Sequence, residues 1–262
     1  MRIRQQAEKE GVEREVAEWL LPAPPDAYAA GATRNLSLLV TAGIKMVTVD
    51  DDTLGVGVRH PKVVEGYALV GHYDPRDAIW FSRRQEARAY SEALEAADVV
   101  DAHEAALTAA EIGFNEWNLA HACKHLQRLC AGERDGRVVV SLAGVIGDAA
   151  VYCPYSALLN EGKTREALVA SETQMKLALT SREVCKMARQ YAITDDSGVM
   201  LYCAGLNNTI PIAPFYPIGF NEDGVFGSIV RFVEPLSLTA HVPVAVRHES
   251  SRASAYDFER PP

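Results

Sequence analysis

The chain has 262 residues, of which 48% are hydrophobic and 23% are charged, as expected of one large globular domain. Its net charge of -9 argues against a general nucleic-acid-binding protein, because binding to phosphates requires a basic surface. No apolar stretch reaches the roughly 20 residues of a membrane-spanning helix, and the first residues lack the apolar core of a signal peptide.

The cysteines indicate a reducing compartment. The chain has five of them, and no two are arranged as Cys-x-x-Cys. An odd and scattered set of this kind is typical of free thiols, so we expect a cytoplasmic protein. These residues are Cys123, Cys130, Cys153, Cys185 and Cys203.

Two helices are predicted in the first part of the chain. Residues 2–20 carry apolar side chains at helical spacing and predict the first helix. The segment 21–26 contains three prolines, which exclude a helix and predict a loop. The second helix is predicted from about residue 33, and Gly43 marks its end because glycine commonly terminates helices.

Three consecutive aspartates, Asp50, Asp51 and Asp52, follow an apolar run at 44–49 that predicts a buried strand. In open α/β sheets, ligands bind beyond the carboxyl ends of the strands. Because three adjacent carboxylates repel one another, a bound cation best explains the cluster, and oxygen ligands of this kind suit Mg²⁺ or Mn²⁺. The alternative is a solvated acidic turn.

The rest of the chain alternates between predicted strands and helices, which indicates an α/β fold in one domain over residues 1–262. A mostly helical segment rich in Ala, Glu and Leu is predicted around 82–130. Gly144 and Gly147 predict a strand-to-loop turn in which Asp148 lines the cleft. The other predicted elements are strands at 62–72, 137–144 and 200–204, a turn at 131–136 and a helix at 164–191.

A proline-rich loop at 207–220 leads into Asn221, which is predicted to be the N-cap of a helix. Glu222 and Asp223 then lie in the first helical turn, where negative charge interacts favourably with the helix dipole. Ordinary capping chemistry is one explanation for these two acids, and a role toward a substrate is the other.

Histidines occur at two places where metal binding has to be considered. His241 and His248 flank a short predicted strand, and His248 is either a neutral imidazole ligand or a surface residue at a strand end. His121 and His125 are spaced as in a helical zinc motif, but Ala122 stands where that motif requires glutamate. A partly buried helix face is therefore the preferred interpretation of this second pair.

Four segments, which make up three family elements, resemble glycosyltransferases of the GT-A type, especially family 2. These enzymes carry a Gly-x-x-Arg-Asn helix, followed by an apolar strand that ends in Asp-x-Asp. Ala32-Thr33-Arg34-Asn35 and Asp50-Asp51-Asp52 stand in that order and spacing. Residues 221–227 resemble the Glu-Asp motif on the acceptor side, and residues 244–248 resemble a segment where some members place a metal-ligating histidine. The resemblance covers residues 25 to 250, thinly in the middle.

The resemblance implies a GT-A-like, Rossmann-like fold with a mixed sheet flanked by helices. It implies an enzyme that transfers a sugar from a nucleotide-sugar donor to an acceptor, which could be a glycan, a peptide or a small molecule. Mn²⁺ or Mg²⁺ is the implied cofactor, with Asp50, Asp52 and His248 as its ligands. Neither a nucleic acid nor a membrane-spanning segment is expected to take part.

The resemblance also assigns the remaining site residues. Glu222 and Asp223 are the implied catalytic residues, with Asp223 as the general base that removes the proton of the acceptor. Arg34 is expected to pair with the acidic strand. The implied donor-binding residues are Asp50, Asp51, Arg34 and Asn35.

A complete GT-A domain begins with two strands that hold the nucleotide, and both precede the Arg-Asn helix. Here only residues 1–30 precede it, and they predict a helix and a loop. We therefore expect a sheet without its first strands. A chain that begins late is the preferred explanation, and a domain that has lost its nucleotide-binding half is the alternative. One side of the strand at 44–50 would then have an unpaired edge, unless residues 2–20 cover it.

Two other functions remain open. Nucleotidyl transfer also uses an acidic cation site and a nucleotide, although the glycine-rich loop that would favour it is not found near the N-terminus. A degenerate GT-A-like module would bind a peptide or glycan without catalysis. Three clustered carboxylates without a ligand disfavour that possibility, because they would only cost stability.

Overall fold

A computed structural model of the chain describes residues 2–21, 30–70, 74–109, 137–151, 154–196, 198–219, 221–251 and 255. Outside these ranges lie most of the predicted loop at 21–26, the helical segment beyond residue 109 and the turn at 131–136. The predictions for five further residues also lie outside them, namely His121, His125, Cys123, Cys130 and Cys153.

The described residues form an α/β fold in which helices flank a mixed β-sheet. The helices are α1 (Arg2–Lys9), α2 (Arg14–Leu20), α3 (Ala30–Val40), α4 (Arg84–Glu92), α5 (Val99–Thr108), α6 (Gly162–Val169), α7 (Glu172–Thr180) and α8 (Glu222–Val233), and a 3-10 helix covers Pro154–Leu159. Gly11 separates α1 from α2 with a φ of +91°, a conformation that favours glycine. Among the described helices, none is both long enough and apolar enough to cross a bilayer.

Ten strands are described, and they belong to one sheet. They are β1 (Lys45–Val49), β2 (Thr53–Arg59), β3 (Tyr67–Leu69), β4 (Arg76–Trp80), β5 (Ala96–Ala97), β6 (Arg137–Asp148), β7 (Glu183–Ala188), β8 (Tyr191–Thr194), β9 (Cys203–Asn207) and β10 (Ser237–His248). The main path runs β1-β9-β6-β10-β2-β5, while β7 and β4 extend from β6, and β8 and β3 extend from β10. The sheet is mixed, because β3 pairs with β8 in parallel and β6 pairs with β7 antiparallel.

Strand pairing sets the position of the last residue of β10. His248 stands opposite Thr53 in β2, which begins directly after the three aspartates. The register shifts between Val246 and Arg247, and an irregularity of this kind bends a strand and redirects the side chains beyond it. The pairing of β10 with β2 therefore brings a histidine from the C-terminal part of the chain to the acidic turn.

The chain divides into two compact units. Unit 1 consists of Met1–Met46, Ser197–Met200 and Asn207–Ser237, and unit 2 consists of Val47–Asp196, Leu201–Leu206 and Leu238–Pro262. The expectation of a single domain over residues 1–262 stays a prediction.

Unit 1 has a core in which α3 packs against the proline-rich loop. A Cβ atom on Gly31 would collide with the backbone oxygen of Tyr216, so only glycine permits this approach. Phe215 of the loop and Phe226 of α8 are fully buried and stack with their ring centroids 3.9 Å apart. Burial of such side chains contributes about 1.5–3 kcal/mol each to the free energy of unfolding.

Unit 2 has a core centred on β6, which is buried over almost its whole length. His103 of α5 is fully buried against it, with Nδ1 2.8 Å from Ser141 Oγ and Nε2 3.5 Å from Cys203 Sγ. Burial lowers the pKa of His103 to about 4, so the imidazole is neutral at neutral pH. Cys185 and Cys203 are buried free thiols, which confirms the prediction for these two cysteines.

The predicted elements are partly confirmed. Helix α3 and strand β1 occur where they were expected, whereas the single helix predicted over 2–20 is divided into α1 and α2 by a break at Gly11. The predicted helix at 164–191 is wrong beyond α7, because residues 183–188 form β7. That strand is buried on both faces, so its sequence lacks the alternation that distinguishes a strand from a helix. The predicted loop at 144–148 is the second half of β6.

Strand β1 ends the described strand path, where β9 is its neighbour. This agrees with the expectation of an unpaired edge beside residues 44–50. Two apolar side chains at this strand are exposed, Ile44 by 56% and Val49 by 47%. An exposed edge with apolar side chains favours pairing with another chain.

Candidate functional site

The three aspartates form the link between β1 and β2, and three backbone hydrogen bonds fix it. Asp50 N–H donates to Tyr202 O at 2.9 Å, and Thr53 N–H donates to Asp50 O at 3.1 Å. Asp52 O accepts from the Glu249 N–H at 2.8 Å, just beyond the end of β10. Asp51 is exposed, whereas Asp50 and Asp52 are partly buried. The turn therefore presents its carboxylates from a backbone that is held on both sides.

The structure brings together two of the predicted metal ligands. His248 Nε2 lies 2.8 Å from Asp52 Oδ1. The His248 side chain is only 3% exposed, while that of Asp52 is 39% exposed, so the pair is anchored in the protein and open to solvent on one side.

A backbone hydrogen bond determines which nitrogen of His248 carries a proton. Nδ1 lies 2.8 Å from the carbonyl oxygen of Asp148, which is only an acceptor, so Nδ1–H is the donor. In the neutral ring, the lone pair of Nε2 then faces Asp52. At 2.8 Å, Nε2 and Asp52 Oδ1 either share a proton in a direct hydrogen bond or are both ligands of one cation. The contact therefore fits a hydrogen bond as well as a bound cation.

The candidate ligand set at the acidic turn consists of one carboxylate and one imidazole. Among the described residues, no group of three or more His, Cys, Asp or Glu side chains lies together. One carboxylate and one imidazole are enough for cations that keep several waters and bind substrate phosphates. Thr53 Oγ1 is buried and lacks a hydrogen-bond partner in the described part of the chain, which leaves another oxygen beside the pair. The residues present therefore fit such a cation.

A buried ion pair supports the carbonyl that orients His248. Arg182 donates from Nε to Asp148 Oδ2 at 3.0 Å and from Nη2 to Oδ1 at 2.7 Å. Asp148 is fully buried and Arg182 is 5% exposed, so the two charges neutralise each other away from water. Groups that hydrogen-bond to a candidate metal ligand, and the residues that hold those groups, fix the orientation of the ligand. Asp148 was predicted to line the cleft, and Arg182 was not predicted at all.

Gly147 offers a test of this arrangement. Its φ is +114°, and a Cβ atom there would collide with the backbone oxygen of His248. We expect Gly147→Ala to lower the free energy of unfolding by about 1–3 kcal/mol and to displace His248. Urea unfolding measures the stability, and the matched control is Gly55→Ala in β2, where a Cβ meets nothing within 4 Å. Equal effects of the two substitutions would contradict the close packing of β6 against β10.

Two further predicted residues pair within unit 1. Arg34 Nη1 donates to Glu222 Oε1 at 2.9 Å, and the side chains are 14% and 7% exposed. The Arg34 guanidinium also lies over the ring of Phe215, at 5.6 Å from its centroid. The pair joins α3 to the first turn of α8, so Arg34 and Glu222 hold the segment from which Asp223 projects.

Asn35 holds the proline-rich loop. Its amide nitrogen donates to Leu20 O and to Phe215 O, both at 3.0 Å. Its amide oxygen accepts from Phe215 N–H at 2.7 Å. Both amide hydrogens are therefore used inside unit 1, and a donor-binding role for Asn35 stays a prediction.

Asp223 lies at the first turn of α8, as predicted, and is partly exposed. Its Oδ1 accepts from Gly224 N–H at 2.8 Å. Asn221 occupies the N-cap position in a left-handed conformation (φ 63°) and makes no capping hydrogen bond with its side chain, contrary to ordinary capping chemistry. Asp223 belongs to unit 1 and Asp52 to unit 2, so a cleft shared by these carboxylates stays a prediction.

Comparisons with known proteins assign no function to the site. No protein-family model matches the chain. No curated protein has significant sequence similarity to it either.

Proposed function

We propose that this protein is a cation-dependent glycosyltransferase that takes a sugar from a nucleotide-sugar donor. The observation that carries the proposal is the 2.8 Å contact between Asp52 Oδ1 and His248 Nε2, with Nδ1 of the same ring bound to a carbonyl. These residues come from two motifs that resemble GT-A enzymes, and each was a candidate ligand by itself. The α/β fold with its mixed sheet is compatible with that assignment.

Asp52 and His248 would hold Mn²⁺ or Mg²⁺, and the aqueous side of Asp52 leaves room for substrate oxygens. When bound, the cation neutralises negative charge on the diphosphate that leaves. Asp50 and Asp51 are the neighbouring carboxylates, and their proposed role is on the donor side. His248 keeps its ligand nitrogen available because Asp148 O holds the proton on Nδ1.

Asp223 is the proposed general base. Its carboxylate is partly exposed, so it is able to accept a proton from an acceptor hydroxyl. Transfer in one displacement with such a base inverts the anomeric carbon, whereas a retaining enzyme would use Asp223 only to position the acceptor. Glu222 is neutralised by Arg34, so its role in this proposal is to position the first turn of α8.

The proposal is tested by incubating the protein with a panel of nucleotide-sugars and measuring release of the nucleotide. We expect release with at least one donor in the presence of Mn²⁺ and at least tenfold slower release with EDTA. Asp101→Asn provides a control for removal of a carboxylate, because Asp101 is exposed on α5. Release that is insensitive to EDTA, or no release with any donor, would contradict the proposal. Nucleoside triphosphates in the same panel, assayed for pyrophosphate, test the nucleotidyltransferase alternative.

One observation favours a non-catalytic module as the second candidate. The 2.8 Å separation of His248 Nε2 and Asp52 Oδ1 is also that of a direct hydrogen bond between two side chains, which needs no cation. Mn²⁺ would then leave the melting temperature unchanged at pH 7. This outcome separates the two candidates without requiring the identity of the donor.

A further inference from the structure

Residues 249 and 250 follow His248 at the point where β10 leaves regular strand pairing. The register of β10 against β2 shifts just before the strand ends at His248. Glu249 is nevertheless tied to the acidic turn, because its N–H donates to Asp52 O at 2.8 Å. Glu249 is thus joined to both candidate ligands, to His248 by a peptide bond and to Asp52 by a hydrogen bond. Its position therefore affects the separation of the two ligand side chains.

Helix α4 supports this segment and is anchored in the core of unit 2. Ala87, near the middle of the helix, is 1% exposed and belongs to a cluster of buried residues to which β2, β6, β7 and β10 contribute. Tyr90 packs against the same cluster. The helix is therefore a firm support, and it carries Arg84 and Arg88 one turn apart.

Arg88 holds the side chain of Glu249. Its Nη2 donates to Glu249 Oε2 at 2.8 Å and to Oε1 at 3.0 Å, and its Nε donates to Oε1 at 3.3 Å. A fork of this kind fixes the direction of a carboxylate as well as its position. Arg247 Nε also lies 3.0 Å from Glu249 Oε1, but as an ion-pair contact without the geometry of a hydrogen bond. Arg88 therefore orients the Glu249 carboxylate.

Arg84 holds the backbone of the next residue. Its Nη1 donates to Ser250 O at 2.8 Å, and its Nε donates to Glu183 Oε1 at 3.1 Å. Because Glu183 is fully buried, Arg84 also neutralises a buried charge, and its substitution would lower stability for that reason alone. Arg88 differs, since the side chains of Arg88 and Glu249 are 49% and 23% exposed, and such a solvent-screened pair contributes little to stability.

We propose that Arg88 is a positioning residue that, through Glu249, sets the separation of Asp52 and His248. With the Glu249 carboxylate fixed, its backbone N–H is directed at Asp52 O. The preceding residue, His248, is then held where its imidazole meets the Asp52 carboxylate. Arg88 thus contributes to cation affinity without contacting the cation. That the pair binds a cation rests on the proposed function, whereas the positioning does not.

The first measurement contains EDTA and no metal, and it follows hydrogen exchange at the Glu249 amide by NMR. In Arg88→Met we expect this amide to exchange about tenfold faster, because its hydrogen bond to Asp52 O opens more often. The Val70 amide, which donates to Ile193 O elsewhere in unit 2, should exchange at an unchanged rate. Equal exchange at Glu249 in the wild type and the variant would overturn the proposal. Faster exchange at both amides would show a general loss of stability and would also overturn it.

Two further variants make the exchange measurement specific. Arg83 is the N-cap residue of α4, and its exposed side chain makes no capping hydrogen bond, so Arg83→Met should leave exchange at Glu249 unchanged. Arg88→Lys keeps the charge and loses the fork, so its exchange should be about threefold faster than in the wild type. If Arg83→Met exchanged as fast as Arg88→Met, the effect would not depend on the contact with Glu249. If Arg88→Lys exchanged as fast as Arg88→Met, the charge would have no role.

Salt tests the ion pair without a substitution. The pair between Arg88 and Glu249 is exposed, so dissolved ions screen it. Between about 0.01 M and 1 M salt, the screening length falls from about 30 Å to about 3 Å. We expect exchange at the Glu249 amide to become about threefold faster over this range in the wild type and to stay constant in Arg88→Met. An equal response of the two proteins would contradict the role of the pair.

The second measurement is the binding of Mn²⁺ alone, followed by electron paramagnetic resonance. The variant combines Arg88→Met with Glu249→Gln, which removes the ion pair and leaves the net charge unchanged. We expect its affinity for Mn²⁺ to be about tenfold lower than that of the wild type. Unchanged affinity together with faster exchange would overturn the link between positioning and cation binding. If the wild type binds no Mn²⁺, the proposed transferase function fails, and exchange at Glu249 still decides the positioning role.

Discussion

Asp52→Asn is expected to abolish the increase in melting temperature that Mn²⁺ gives the wild-type protein. Binding at 100 times the dissociation constant stabilises a folded protein by about 2.7 kcal/mol. For a chain of this size, that corresponds to an increase of about 5–10 °C. An asparagine amide has no charge and is a poor ligand for these cations, so the variant should show no increase. Thermal unfolding at several Mn²⁺ concentrations measures the effect.

Two comparisons make the Asp52 experiment specific. Asp101→Asn removes an exposed carboxylate of unit 2 and should leave the response to Mn²⁺ intact. Nucleotide release by Asp52→Asn should fall at least 100-fold if the bound cation stabilises the leaving group, which is about 2.7 kcal/mol in the activation barrier. A full Mn²⁺ response in Asp52→Asn would exclude Asp52 as a ligand.

Arg182→Met is expected to lower the free energy of unfolding by about 3–5 kcal/mol. The substitution leaves the fully buried Asp148 without its partner, and an unpaired buried charge has a cost of this size. Because the carbonyl of Asp148 orients His248, Mn²⁺ affinity should also fall, by about 10–100-fold. Urea unfolding and Mn²⁺ titration measure the two effects separately.

The matched control for Arg182 is Arg14→Met. Arg14 forms an ion pair with Glu18 on the surface of α2, and the two side chains are 75% and 44% exposed. Solvent screens such a pair, so the unfolding midpoint should not change measurably. If Arg182→Met were as stable as Arg14→Met, the bidentate contact with Asp148 would not support the site.

The acidic turn and its histidine could be predicted because each is marked by a local pattern. The strand before Asp50 is short and apolar, and Asp52 and His248 stand at the ends of strands. Their contact was suggested by a resemblance, since the two residues are far apart in sequence. The structure adds the pairing of β10 with β2, which brings them within 2.8 Å of each other.

The supporting residues could not be predicted, because their roles depend on strand pairing. Arg182 and Asp148 meet through the pairing of β6 with β7, and β7 was predicted to be helical. Asn35 belongs to a segment that resembles a GT-A motif, yet its side chain hydrogen-bonds to Leu20 and to Phe215 of the proline-rich loop. Because β7 is buried on both faces, its sequence does not alternate between polar and apolar residues, and a helix was predicted there instead of a strand.

The composition of unit 1 has a consequence for how the chain folds during synthesis. Its helices α1 to α3 are made before their partners in residues 207–237, which emerge only after most of unit 2. Contacts that span so much sequence form slowly, because a long loop has to close before they are made. On the ribosome, α1 to α3 would wait with apolar faces uncovered, a state in which chaperones commonly bind. Unit 2, made mostly from one continuous stretch, would be the first part to fold.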